Sequence, residues 1–280
     1  MLAGMRIEFL KMQGLGNDFL VFDSSAFADA RMDSGILCAL ADRRTGVGFD
    51  QALILEEPRD ADSRVFYRIF NSDGTEAQQC GNGARCIAAL LYAREPQLGR
   101  EFAMGSPSGA VHARVRDDGL VSVNMGVPDF DPRSLPLEAA EAPSYSLNVE
   151  GREIQIGAVS MGNPHAVLQV SDVKTAPVAL FGPSIEHHPR FPQGTNVGFM
   201  QIVDRGQIRL RVFERGAGET LACGTGACAA VAVGRRAGLL DAEVRVELPG
   251  GTATVAWAGV SLPAWLTGPA TKVFAGSIDI

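Results

Sequence analysis

The sequence is poor in lysine. Of its 280 residues only Lys11, Lys174 and Lys272 are lysines. None sits in a phosphate-cradling context, which argues against a pyridoxal enzyme and its obligatory Schiff-base lysine. No Lys/Arg-rich block occurs and the net charge is −7, so no nucleic-acid partner is expected. A long apolar run is also missing. The most apolar long window, 221–233, is too short and glycine-rich to cross a bilayer. The first 19 residues lack a charged start followed by an apolar stretch, so no signal peptide is read there. The expectation is a cytoplasmic protein with no membrane partner. No tight Cys-x2-Cys pair exists, Cys80-x5-Cys86 and Cys223-x4-Cys228 are poor zinc spacings, and His112, His165, His187 and His188 stand at no ligand spacing from them. No metal is expected.

What is present is ordinary for a soluble globular chain: 46% apolar and 20% charged residues, enough for one large domain or two smaller ones. The unusual feature is a repeat. "RIFNSDGTEAQQCGNGARCIAA" (68–89) lies on "RVFERGAGETLACGTGACAAVA" (211–232) without a gap, which matches Arg68 with Arg211, Phe70 with Phe213, Glu76 with Glu219 and Cys80 with Cys223. Fainter echoes pair "LGNDF" (15–19) with "MGNPH" (161–165), and "GFDQAL" (48–53) with "GTNVGF" (194–199). Each half therefore carries amide residues and then a Cys-Gly-x-Gly turn, which points to a duplicated pair of domains.

Local patterns place these motifs. Residues 111–126 and 244–257 alternate apolar and polar around Asp-Asp-Gly and Pro-Gly-Gly, and read as β-hairpins. "YRIF" and "IRLRVF" read as strands entering each cysteine loop; "ARCIAALLYAR" and "GACAAVAVGRRAG" read as helices leaving it, the second stopping near Gly238. Antiparallel hairpins predominate, so the expected class is α+β rather than a doubly wound sheet. The proline- and acid-rich stretch 127–146 reads as loop near the domain junction.

A cysteine just before a glycine turn and a helix has a chemical use. The first helical turn offers free backbone N–H groups and a partial positive charge. Glycines let an anion come close to that backbone, and a thiol there ionises more easily. One motif thus supplies a base and a carboxylate seat. Two such motifs facing each other across a cleft could take a proton from one face of an α-carbon and return it to the other. Cys38, Cys86 and Cys228 are instead read as small core residues. A redox pairing of Cys80 with Cys223 remains open. So does a non-catalytic amino-acid binder.

These motifs resemble the diaminopimelate epimerase family over nearly the whole chain. "MQGLGNDF", "GVGFDQ", "NSDGTEAQQCGNGARC", "MGNPHAV", "TNVGFM" and "ERGAGETLACGTGACAA" stand in the family's order and spacing. The resemblance implies two pseudo-symmetric α+β domains, each a curved, mainly antiparallel sheet around a central helix. The domains are expected at 1–125 and 126–268, with the tail 269–280 returning to the first. It implies an isomerase that interconverts LL- and meso-diaminopimelate, for lysine and cell-wall precursor synthesis, with no cofactor or metal. Cys80 and Cys223 match its acid–base pair. Gly81, Asn82, Gly224 and Thr225 match the helix-end seat for the reacting carboxylate. Asn17, Gln51, Asn71, Asn163 and Asn196 match amides that contact the substrate. Glu214 and Arg215 match the pair that binds its charged groups, which suits an amino acid with two ammonium and two carboxylate groups. Glu214 and His165 are further expected to tune the thiols. A homodimer is expected by analogy. The family's usual start falls at Met5. "GSPSG" (105–109) departs from the family's loop pattern, so the family's local geometry need not hold there. Within the same class, a proline racemase is the rival reading.

Overall fold

The computed structural model describes residues 6–24 and 34–279; Met5 lies outside them. The chain divides into two compact units, residues 1–123 with 268–280, and residues 124–267.

The first unit holds strands β1 (Arg6–Gly14), β2 (Asn17–Asp23), β3 (Gln51–Glu56), β4 (Ser63–Asn71), β5 (Glu76–Ala77), β6 (Glu101–Ser106), β7 (Gly109–Val115) and β8 (Val121–Asn124), with helices α1 (Ser34–Ala41) and α2 (Gly81–Arg94). Its sheet runs β1-β2-β3-β4-β6-β7-β8, with the short β5 added at one end of β4. The pairs β2–β3 and β4–β6 are parallel and the others antiparallel.

The second unit holds β9 (Tyr145–Val149), β10 (Arg152–Ser160), β11 (Pro164–Gln169), α3 (Val178–Glu186), β12 (Asn196–Asp204), β13 (Gln207–Glu214), β14 (Gly218–Thr220), α4 (Gly224–Arg236), β15 (Glu243–Leu248), β16 (Gly251–Trp257) and β17 (Ala264–Gly268). Its sheet order is β10-β11-β12-β13-β15-β16-β17, with β14 on β13 and parallel pairs only at β11–β12 and β13–β15. The two topologies correspond strand for strand and helix for helix. Each has one further outer strand. In the second unit it is β9, antiparallel to β10. In the first it is β18 (Thr271–Asp279), antiparallel to β1.

Each sheet curls round one helix. α2 touches both β1 and β7, strands well apart in their sheet, and α4 touches β10 and β16 in the same way. A helix enclosed by a sheet must be slim. α2 and α4 accordingly begin on glycine and fill with alanine and cysteine, and Cys86 and Cys228 are fully buried there. Burial alternates along β7 and β15, so the 111–126 and 244–257 hairpins form where the alternation places them. The repeat has a structural reason in the strand–strand ends. Arg68 grips Glu76 with two hydrogen bonds of 2.7 and 2.8 Å across β4–β5, and Arg211 grips Glu219 at 2.6 and 2.8 Å across β13–β14.

One expectation needs correction. Cys38 is exposed on α1 rather than a core residue. The stretch 127–146 is largely irregular up to Ser144, as the sequence led one to expect, and its Leu135 and Leu137 are buried in the second unit's core with Phe181 and Phe199 before Tyr145 begins β9. Its prolines break regular structure, while its leucines still anchor it. "GSPSG" forms a tight turn between β6 and β7, with Gly109 at φ +104°. Among the described residues no helix is long and apolar enough to cross a membrane.

Candidate active site

The first half-site begins at a two-residue turn. Leu15 (φ +58°) and Gly16 (φ +81°) join β1 to β2, and the sheet pairs Gly14 with Asn17. Only a primed turn matches the strand twist over so short a link, and it sets Asn17 as the first residue of β2. Asn17 Nδ2 donates to Asp50 Oδ2 at 3.0 Å. Its Oδ1 accepts from Asn82 Nδ2 at 3.2 Å and from the Cys80 thiol at 3.6 Å. Cys80 is the N-cap of α2, in extended conformation, and its sulfur accepts from the Gly83 N–H at 3.5 Å. A side chain at position 83 would press on Leu53, its Cβ standing 3.0 Å from Cδ2. The glycine therefore keeps that N–H within reach of the sulfur.

Gln51 and Asn71 face each other across β3–β4, with Gln51 Nε2 donating to Asn71 Oδ1 at 3.0 Å. Asn71 Nδ2 donates to Thr75 Oγ1 at 3.1 Å. Gln51 Oε1 is buried without a partner among the described residues, an acceptor that an ammonium group could satisfy.

The second half-site repeats the plan with different chemistry. Cys223 is the N-cap of α4 and its sulfur accepts from the Gly226 N–H at 3.4 Å. Thr225 Oγ1 lies 3.5 Å from that sulfur and accepts from Asn163 Nδ2 at 3.5 Å. Asn163 Oδ1 lies 3.0 Å from His165 Nε2. Asn196 donates to the Pro164 carbonyl at 2.9 Å and accepts from the Arg215 backbone N–H at 3.0 Å. In the repeat the position of Asn71 is taken by Glu214, whose Oε1 accepts from Thr220 Oγ1. Burial pushes the Cys223 thiol well up, and the Glu214 carboxylate pushes it further; Thr225 and the Gly226 N–H oppose them. So the Cys80 sulfur touches the Asn17 amide, and Cys223 sits beside a carboxylate.

The chain of sequence-named residues is thus brought together within each unit: Asn17, Asn82 and Cys80 in one, Asn163, Thr225 and Cys223 in the other. Gln51 and Asn71 form their own pair. Asn196 acts on the Arg215 backbone. His165 bonds to Asn163 rather than to the thiol. Arg215 is exposed and donates through Nη1 to the Gln193 carbonyl at 3.0 Å, with no ion pair among the described residues. Sequence reasoning missed Asp50, which stands beside Gln51 in the quoted "GFDQ", and Arg85, which closes "GNGAR". It also missed Glu186, a buried carboxylate at the end of α3 that accepts from the Gly216 N–H at 2.7 Å and fixes the turn after Arg215. No group of three or more His, Cys, Asp or Glu side chains among the described residues could hold a metal ion.

The family model for diaminopimelate epimerase matches residues 9–130 and 157–273. Relatives named diaminopimelate epimerase from Thioalkalivibrio sulfidiphilus and Stutzerimonas stutzeri are 55% and 50% identical over 279 and 277 residues, which is 99% of this chain and 100% of each relative. The chain belongs to the diaminopimelate epimerase family. The diaminopimelate epimerase match pauses only over 131–156, where the irregular segment and β9 lie. A solved hydroxyproline epimerase from Agrobacterium vitis shares the fold at TM-score 0.70 and 16% identity, over 99% of this chain and 93% of that one. At that identity the likeness is one of fold alone.

His165 gives this site a pH signature. Burial, with the Arg215 charge second, holds its imidazole down at about 3 against an ordinary 6.5. A depressed histidine binds its proton in the unfolded chain first. Its stabilising effect is therefore present above about pH 6.5 and lost as pH falls towards 3. The urea midpoint should drop between about pH 7 and pH 4, and His165→Gln should flatten that drop. An unchanged slope in the variant would mean that His165 is already protonated in the folded protein.

Proposed function

We propose that this chain interconverts LL- and meso-diaminopimelate, in lysine and cell-wall precursor synthesis, by moving one α-proton without cofactor or metal. A thiolate takes the proton from one face of the α-carbon. The electron pair left behind delocalises into the adjoining carboxylate, and the other thiol delivers its own proton to the opposite face. The first sulfur ends protonated and the second ionised, so the charges balance. Cys80 and Cys223 are the two groups. Gly81 and Asn82, with Gly224 and Thr225, offer helix-end N–H groups to the reacting carboxylate, where negative charge builds in the transition state. Arg215 takes the distal carboxylate, Glu214 an ammonium group, and Asn17, Gln51, Asn71, Asn163 and Asn196 supply or position the remaining polar contacts.

The observation that carries this reading is the matched pair of cysteine N-caps, Cys80 on α2 and Cys223 on α4, in a member of the diaminopimelate epimerase family. A cysteine kept only for packing would not need its sulfur at a helix N-cap in both units. The Glu214–Arg215 step favours a long, doubly charged substrate over the ring of proline.

The test is incubation with LL-diaminopimelate in D2O. The expected result is the meso form with deuterium at the inverted α-carbon. Binding without exchange would reduce the protein to an amino-acid binder, and exchange of proline instead would make it a racemase. A cytoplasmic location, a homodimer and the absence of a nucleic-acid partner complete the proposal. Val273 and Phe274, 55% and 45% exposed on the outer strand β18, support the dimer. Sedimentation of the purified chain as a monomer would remove that part alone.

A further inference from the structure

We propose that Asp50 and Arg85 are positioning residues for Cys80, the two ends of an amide relay that holds its thiol as a proton donor. The inference rests on Cys80 being an acid–base group, as argued above. It adds what fixes the direction in which that group's proton points.

An amide side chain can turn either face to a neighbour, so an Asn beside a thiol is ambiguous: its oxygen favours S–H and its nitrogen favours the thiolate. Here both ends of the relay are unambiguous. A guanidinium can only donate, and Arg85 Nη2 donates to Asn82 Oδ1 at 2.9 Å. That turns Asn82 Nδ2 to Asn17 Oδ1, at 3.2 Å. A carboxylate can only accept, and Asp50 Oδ2 accepts from Asn17 Nδ2 at 3.0 Å. Two independent constraints, one from α2 and one from the residue before β3, demand the same sense of Asn17. The consequence is that its oxygen faces the Cys80 sulfur, at 3.6 Å. The flipped amide would oppose two N–H2 groups at Asn82 and two oxygens at Asp50.

Both ends are themselves held. Arg85 is fully buried, and its Nε donates to the Pro269 carbonyl at 3.4 Å. Asp50 Oδ1 accepts from Arg43 Nη2 at 2.7 Å, and its Oδ2 also accepts from the Asp18 N–H at 3.1 Å. Asp18 in turn pairs with Arg43 and Lys11. Two further titratable groups near the Cys80 thiol are Tyr67 on β4 and Cys86 on α2, both buried and both held protonated by burial. Neither supplies a charge at neutral pH that could replace the relay.

The test reads the resting protein. In a Cys38→Ser, Cys223→Ala background, iodoacetamide reports Cys80, since Cys86 and Cys228 are fully buried. Asp50→Asn removes the acceptor-only end, which leaves the sense of Asn17 set by the single 3.2 Å contact from Asn82 and lets the flipped amide be populated. Alkylation of Cys80 should then reach its plateau at lower pH and run roughly three- to tenfold faster at neutral pH, the value of one hydrogen bond to the thiol. Asn17→Ala should do the same, and Asp50→Asn should add nothing to it, because Asp50 acts through Asn17. Asp50→Glu, still an acceptor only, should restore the parent profile. An unchanged profile in Asn17→Ala would overturn the whole relay, and an unchanged profile in Asp50→Asn would overturn the role of Asp50. So would an effect that persists in full on the Asn17→Ala background, which would mark Asp50 as a remote charge. Failure here with Cys80 still required for turnover sinks only the relay, whereas dispensability of Cys80 sinks the function.

Discussion

Cys80→Ala and Cys223→Ala should each lower epimerisation by about a thousandfold or more while the chain stays folded. The size follows from the chemistry. In the proposed mechanism each thiol serves as base in one direction of the reaction and as acid in the other, so neither direction survives the loss of one partner. The cost to stability is small, because the sulfur's structural role is that of an N-cap, accepting from Gly83 at 3.5 Å or Gly226 at 3.4 Å. Loss of a cap costs about 1 kcal/mol. Circular dichroism and a melting curve on each variant, set beside the rate of meso-diaminopimelate formation, separate the two effects. Serine variants should keep a trace of activity, since a hydroxyl fits the cap but is a poor acid and base at neutral pH. Turnover near the parent's in either alanine variant would end the two-base account. The two variants need not behave alike when titrated. Cys223 is buried and pressed by Glu214 towards the thiol form, whereas the residue that matches Glu214 in the first half of the repeat is the neutral Asn71.

The pair of thiols was legible because its signals are local. A cysteine, two glycines and an apolar helix within a few residues state an N-cap without any tertiary knowledge, and the repeat states it twice. The hairpins were legible for the same reason, through alternation that burial in β7 and β15 reproduces. What escaped depends on residues far apart in sequence. Asp50 meets Asn17 across 33 positions, and Arg85 rests on the carbonyl of Pro269 across 184. No pattern along the chain marks either contact, although both residues stand inside motifs that were read for their neighbours. Composition speaks of backbone and is silent on burial. Prolines at 132 and 136 break regular structure, yet Leu135 and Leu137 between and beside them are core. Cys38 shows the converse, a residue type that is usually buried lying exposed on α1.

Arg215→Ala should raise the KM for diaminopimelate roughly 10- to 100-fold with a much smaller change in kcat, since a charge-assisted hydrogen-bond pair to a carboxylate far from the reacting carbon is felt equally in ground and transition states. The local structure is built to present this side chain. Its backbone N–H is held by Asn196 Oδ1, the next N–H by the buried Glu186, and Nη1 by the Gln193 carbonyl. Two anchors on Arg215 and a third on Gly216 beside it are more than a surface ion pair requires, and no carboxylate among the described residues pairs with Arg215. The remaining guanidinium donors are therefore free to meet a planar anion in the forked geometry that lysine cannot offer. Arg215→Lys should accordingly recover only part of the lost affinity, because it restores the charge without the fork. Steady-state kinetics on the two variants decide the matter. An unchanged KM in Arg215→Ala would place the distal carboxylate elsewhere, and a collapse of kcat with KM unmoved would mean that Arg215 acts on the transition state rather than on binding.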